Sequence, residues 1–145
     1  MNRAVPGGLA VARRRALVAE GRFVAHAQAG ASPTILGAAR EAMNGEFAEL
    51  ATLEATVDAV SAGPDRGELQ ARALFAVERC RALRAQEGSR RVPMVAARCD
   101  ETFEEMLAAF AALLAYDGVP PGPVLAAVSA RAWSEVLRGR RGERS

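Results

Sequence analysis

Apolar residues recur at intervals of three, four and seven along most of the chain, and clusters of glycine and proline interrupt them. Such spacing places apolar side chains on one face of an α-helix. No segment shows strict alternation of apolar and polar residues over more than a few positions, as a half-buried strand would require. The pattern therefore predicts an all-α fold, a four- or five-helix antiparallel bundle with a long second helix.

Five helices are predicted between these interruptions. In chain order they cover about Leu9 to Ala29, Pro33 up to Gly63, the stretch from Gly67 up to Glu87, Pro93 up to Asp117, and about Val124 to Leu137. We accordingly divide the chain into a flexible N-terminus (1–8), a single helical domain (9–137) and a disordered tail rich in arginine and glycine (138–145).

The second predicted helix has the clearest start. Ser32 can accept a hydrogen bond from a free N–H group of the first turn, and Pro33 lacks an N–H that would be unpaired there. Apolar residues then repeat every seven positions, at Leu36, Met43, Leu50 and Val57. Glu46 interrupts the adjacent seam, with Phe47 beside it. A repeat of this length suits a bundle helix or one strand of a coiled coil.

Composition agrees with a helical domain. Half of the 145 residues are hydrophobic but only 5% are aromatic, because alanine supplies most of the excess. Alanine favours helices, whereas sandwiches and barrels need β-branched and aromatic residues. A chain of this length can bury a core without metal or disulfide. The 19 basic and 17 acidic residues give a net charge of +2, too balanced to indicate nucleic-acid binding by itself.

Several kinds of catalytic site lack the residues they need. His26 is the sole histidine, whereas ferritin-like metal sites need several. Cys80 and Cys99 form no CxxC pair for zinc, and both fall on apolar stripes typical of buried thiols. No GxGxxG, GxxxxGK[ST] or GxSxG string occurs. We therefore predict no cofactor and favour a protein that is not an enzyme.

Localisation is predicted from the apolar stretches. Arg13, Arg14 and Arg15 interrupt the first of them, so it does not form a signal-peptide core. The longest weakly polar run, Met106 to Ala115, is about half the ~20 residues of a membrane span. We expect a cytoplasmic protein without membrane insertion. The absence of lysine indicates codon bias in a GC-rich bacterial genome.

A short segment around His26 suggests phosphotransfer. His26 is followed four residues later by Gly30, and in this it resembles the histidine phosphotransfer domains, helical bundles in which a small residue lets a response regulator approach an exposed histidine. The segment departs from that family because Ala29 replaces the usual lysine and Pro33 lies where the family's helix continues. The alternative is a histidine whose charge favours a helix C-terminus.

Two groups of charged residues are further candidate sites. Glu101, Glu104 and Glu105 share a helix face and would hold Mg²⁺ against acids of the second helix in a carboxylate-dependent nucleotide-processing enzyme. Arginine binds phosphate through its planar fork. The candidate nucleic-acid residues are Arg13, Arg14, Arg15, Arg138, Arg140 and Arg141. No helix-turn-helix signature accompanies them.

The leading hypothesis comes from the apolar surplus. The fourth helix is apolar over more than a narrow stripe, and the second is long enough to extend past its neighbours; uncovered apolar surface needs a partner. We therefore expect a protein that acts through protein–protein contacts, as an adaptor, an assembly or export chaperone, a subunit of a larger complex or a homo-oligomer. The predicted interface consists of Leu36, Met43, Leu50, Phe103, Met106 and Phe110.

Overall fold

The computed structural model describes residues 4–86 and 92–127, with side chains from residue 8 onward. These residues form α1 (Ala4–Gln28), α2 (Pro33–Val60), α3 (Arg66–Ala85) and α4 (Pro93–Tyr116), followed by a helical stretch at 121–127. No residue of these ranges lies in a strand. The predicted all-α bundle is therefore confirmed.

The starts of the helices follow local sequence signals. The Ser32 hydroxyl accepts a hydrogen bond from the Ile35 N–H at 3.3 Å, with proline at the first position of α2. The Asp65 carboxylate caps α3 through the Glu68 N–H at 2.8 Å. Such caps satisfy N–H groups that have no partner within the helix.

The first helix differs from its prediction. It begins at Ala4, earlier than the expected Leu9. Pro6 is compatible with this start because it falls in the first turn, where its missing N–H removes no helical hydrogen bond. At the other end of the chain, residues 128–137 of the predicted fifth helix and the predicted tail at 138–145 lie outside the described residues.

Helix α4 ends in a turn at Gly118. Gly118 has φ 73°, and its N–H donates to the Ala115 carbonyl at 3.1 Å while the Val119 N–H donates to the Leu114 carbonyl at 2.9 Å. This pair of bonds is the Schellman motif, which requires the left-handed conformation that glycine adopts without strain. Gly118 therefore ends α4.

The helices pair as two hairpins, α1 with α2 and α3 with α4. Arg13 near the start of α1 bonds to Glu54 near the end of α2, and Arg66 at the start of α3 bonds to Asp117 beyond the end of α4. These contacts are those expected of antiparallel neighbours. Helix α1 also packs on α3 and α4, whereas the α2 backbone stays more than 8 Å from both, measured between Cα atoms.

Buried apolar side chains form three clusters. All four helices contribute to the first, which contains Phe23, Val24, Met43, Leu83, Val95 and Cys99. The second, between α1 and α2, contains Leu9, Ala12, Ala16 and Leu50. The third, between α3 and α4, contains Ala76, Cys80 and Met106. The two hairpins thus share one apolar cluster, and among the described residues no helix has the length and hydropathy of a membrane span.

Candidate functional site

The hairpins meet around a buried carboxylate, that of Glu20 on α1, which is 2% exposed. Arg79 of α3 donates to its two oxygens from Nε at 3.0 Å and from Nη2 at 2.8 Å. Arg98 of α4 donates from Nε at 2.7 Å. Arg79 also bonds through Nη1 to Glu105 of α4. We call these four residues the Glu20 network. Its two carboxylates and two guanidinium groups balance in charge, which offsets part of the cost of burying Glu20 and Arg79.

The ring of Phe47 covers this network from the α2 side. The guanidinium carbon of Arg79 lies 4.5 Å from the ring centroid, and that of Arg98 lies 5.8 Å away. Arginine can stack on a ring and bind a carboxylate in the same position because its guanidinium is planar. The neighbouring Glu46 has one carboxylate oxygen that is buried and has no hydrogen-bond partner among the described residues. The irregularity in the heptad repeat therefore marks where α2 meets the charges of the second hairpin.

The network stabilises the charged forms of Glu20 and Arg79. Burial raises the pKa of Glu20, but the hydrogen bonds and charges of Arg79 and Arg98 outweigh this effect and leave the pKa below its ordinary value. Burial lowers the pKa of Arg79, and its bonds to Glu20 and Glu105 more than compensate, so that pKa is raised. General acid–base catalysis needs a group whose pKa lies near the working pH. The network is thus better suited to joining helices than to proton transfer.

A second ion network links α1, α2 and α3. Arg13 contacts Glu54 at 3.1 Å and Glu68 at 2.7 Å. Arg72 contacts Glu68 at 2.6 Å and Asp58 at 2.6 Å. The side chain of Arg13 is 12% exposed. Arg13, one of the predicted nucleic-acid residues, is therefore occupied by carboxylates of its own chain.

The other predicted arginines differ in position. Arg14 and Arg15 are exposed on α1, and, like the exposed Arg22, they form no ion pair with any carboxylate in the described part of the chain. The α1 helix carries one acidic residue, Glu20, which is buried. The outer side of α1 is therefore basic. Residues 138–141, which contain the remaining predicted arginines, lie outside the described ranges.

The acidic residues do not assemble into a metal site in the described parts. Glu101 and Glu104 are exposed on α4, and Glu105 bonds to Arg79. Within residues 4–86 and 92–127, no group of three or more His, Cys, Asp or Glu side chains is placed to hold a metal ion. The geometry gives the magnesium alternative no support.

His26 lies exposed in the last turn of α1. Gly30 follows the helix with φ 70° and ends it, whereas in the phosphotransfer domains the helix continues through this position. The resemblance is thus confined to the spacing of two residues. Cys80 and Cys99 are buried, as their apolar stripes predict, and burial raises the pKa of the Cys80 thiol.

The predicted interface residues are divided between different clusters. Three of them, Met43, Leu50 and Met106, are buried inside this chain. Leu36 packs at the edge of the first cluster, and Phe103 and Phe110 pack at the edge of the third. Since Met43, Leu50 and Met106 belong to three separate clusters, the six residues do not share one seam. Phe103 and Phe110 are the pair that remains together and partly exposed.

These two rings belong to a wider apolar surface, which we call the outer face. It consists of Leu74 and Val77 of α3 with Phe103, Leu107, Phe110 and Leu114 of α4. Leu74 is 61% exposed and the others are partly exposed. Successive helix residues are about 100° apart, which places Leu107 and Leu114 roughly opposite Arg98 and Glu105. The outer face therefore lies on the side of the second hairpin away from the Glu20 network.

Comparison of the chain with protein-family models, curated proteins and solved structures found no match.

Proposed function

We propose that this protein acts through protein–protein contacts and that the outer face of the α3–α4 hairpin is its contact surface. The observation that carries the proposal is the arrangement of large apolar side chains along one side of two adjacent helices. The partly buried side chains around the third cluster all belong to α3 and α4, so neither α1 nor α2 contributes to them. Each such side chain contributes ~1.5–3 kcal/mol when fully removed from water.

The chemistry of the outer face fits an amphipathic helix. Two adjacent helices form a groove between their ridges of side chains, and a third helix packs into it with apolar residues at intervals of three and four. An adaptor, an assembly chaperone or a complex subunit would use the face in this way. The expectations of a cytoplasmic, bacterial protein and of self-association belong to the same proposal.

A non-catalytic role is supported by the state of the charged groups. The acidic and basic members of the Glu20 network bind each other, and the pKa of Glu20 is lowered while that of Arg79 is raised, both away from neutrality. Perturbed pKa values in a cleft are the usual mark of a catalytic site. The outer face, by contrast, has surface that a partner would remove from water.

The test uses the full-length protein and a matched pair of variants. Leu74→Asp places a charge on the outer face, and Val18→Asp places one on the outer side of α1, where Val18 is 47% exposed. We expect light scattering coupled to gel filtration to detect a complex, with a partner or a second copy, that persists at high salt. The complex should be lost in Leu74→Asp and kept in Val18→Asp. Equal behaviour of the two variants would contradict the proposal.

A second candidate function rests on the basic outer side of α1. Arg14, Arg15 and Arg22 are exposed there and form no ion pair with a described carboxylate. Phosphate contacts release counterions, so nucleic acid bound through these residues should dissociate steeply as salt rises. The double variant Arg15→Gln, Arg22→Gln should lose this binding, while Leu74→Asp should retain it. Nucleic acid that remains bound at high salt, or to the double variant, would exclude this surface.

A further inference from the structure

A cavity of about 460 Å³ lies where the start of α1, the end of α2 and the start of α3 meet. We call it the end cavity. Its volume is within the range of about 300–1,000 Å³ that is typical of pockets for small molecules. A cleft beside Phe23 and Arg40, at about 260 Å³, is smaller than this range. The end cavity is therefore the stronger of these two candidate ligand sites.

The walls of the end cavity are mainly apolar. They are formed by residues of all three helices: Leu9, Ala10, Val57, Val60 and Ala71. Leu9 is buried, whereas Val60, the last residue of α2, is 64% exposed. An apolar molecule in the cavity would remove the Val60 side chain from water, which is favourable. The walls thus fit a ligand with an apolar body.

One polar group in the wall has an unused hydrogen bond. The Arg13 side chain lines the cavity, and its Nη2 bonds to Glu54 and Glu68. Its Nε is buried and has no hydrogen-bond partner among the described residues. A buried N–H group without an acceptor costs free energy. A ligand that brings an oxygen to Arg13 Nε would remove this cost.

The charges around the cavity favour an uncharged ligand. Asp65 and Glu68 line it together with Arg13, and Glu54 and Asp58 extend the acidic excess behind them. A carboxylate or phosphate on the ligand would be repelled by these four acidic groups. An ammonium group beside Arg13 would be repelled by the guanidinium, and it has no lone pair with which to accept the Nε hydrogen bond. A carbonyl or hydroxyl oxygen accepts that bond without either penalty.

We propose that the end cavity binds a small uncharged molecule that has an apolar body and a carbonyl or hydroxyl oxygen. The oxygen accepts a hydrogen bond from Arg13 Nε, and the apolar body lies against Val57 and Val60. No residue that lines the cavity belongs to the outer face. This site is therefore separate from the surface proposed above for protein–protein contacts.

The test uses three probes that share a phenyl ring. Acetophenone carries a carbonyl oxygen, ethylbenzene has no comparable acceptor, and benzoate is an anion. In an NMR titration of the isotope-labelled full-length protein, acetophenone should bind saturably and shift the Arg13 Nε–H proton signal downfield. The signal is assigned by its absence in Arg13→Lys. Ethylbenzene should bind without this downfield shift, and benzoate should bind severalfold more weakly than acetophenone.

A matched pair of variants locates the site. Val60→Asp places a charge in the apolar wall and should weaken acetophenone binding severalfold. Val18→Asp, on the outer side of α1, should leave the binding unchanged. Circular dichroism checks that both variants keep their helices, which the exposure of the two valines favours.

Four outcomes would overturn the proposal. The first is a titration in which acetophenone does not saturate, and the second is binding that leaves the Arg13 Nε–H signal in place. The third is benzoate that binds as tightly as acetophenone, and the fourth is an equal effect of Val60→Asp and Val18→Asp. Leu74→Asp should not alter the titration, so the ligand site and the contact surface proposed above can fail separately.

Discussion

On its inner side the α3–α4 hairpin presents Arg79 and Arg98 to Glu20 of α1, and Glu105 bonds to Arg79. On its outer side the hairpin presents leucine, valine and phenylalanine. The usual distribution places charges outside and apolar groups inside. Buried charges are tolerated here because each is paired, and unpairing one would be costly. The apolar side chains of the outer face, by contrast, are left exposed or partly exposed by the four described helices. The inner side thus concerns folding, and the outer side is the surface for which we propose association.

The largest effect should come from removing the central carboxylate. Glu20→Ala leaves two guanidinium groups facing each other in a largely buried position, and loss of one partner from a buried ion pair costs about 3–5 kcal/mol. Urea unfolding should show a decrease of that size in the free energy of unfolding. The matched control is Glu49→Ala, since Glu49 is exposed on α2, and it should change the free energy by less than about 0.5 kcal/mol. A similarly small change for Glu20→Ala would contradict the assigned role of the network.

Acid should weaken the inner side in the same way. The folded-state pKa of Glu20 lies below its ordinary value, so the network contributes stability at pH above the unfolded-state pKa of about 4.3. This contribution is lost as the pH falls through the lowered folded-state pKa. Unfolding free energies measured from neutral pH downward should therefore fall less steeply in Glu20→Gln than in the wild type. If the free energies of the wild type and Glu20→Gln fell in parallel with pH, protonation of Glu20 would not be the cause of the acid destabilisation.

The sequence predicts the helices better than it predicts this network. Ser32, Asp65 and Gly118 act within a few residues of the helix ends they define, so local chemistry is sufficient to place them. The bond between Glu20 and Arg79 joins residues far apart in the chain, and interleaved arginine and glutamate are typical of a solvated helix surface.

A signal for the network is nevertheless present in the sequence. Glu20 follows Ala16 by four positions and precedes Phe23 by three, which places a charge on the apolar stripe of α1. Arg79 similarly lies between Ala76 and Cys80 on the stripe of α3. A charge at a core position of one helix indicates an opposite charge on another. The identity of its partner depends on how the hairpins pack, which the spacing along one helix does not specify.

The same substitution made over the Glu20 network and on the outer face sharpens the comparison. Phe47→Leu keeps an apolar side chain but removes the ring beneath Arg79 and Arg98, and a partly desolvated cation–π contact contributes about 1–2 kcal/mol. Phe103→Leu removes a partly exposed ring from the outer face, away from the described arginines, and should cost less. In urea unfolding, Phe47→Leu should lower the free energy of unfolding more than Phe103→Leu does. The reverse order would mean that the ring on the outer face contributes more to stability than the ring over the Glu20 network.

The smallest effect on folding should accompany the change on the outer face. Leu74 is 61% exposed, so Leu74→Asp removes little buried area, and the free energy of unfolding of the four-helix core should change by about 0.5 kcal/mol or less. Val18→Asp should have an effect of the same size, because Val18 is 47% exposed. The two variants should separate in association, measured by light scattering. If Leu74→Asp instead unfolded the chain, the outer face would belong to the folding core, and the contrast between the two sides of the hairpin would be lost.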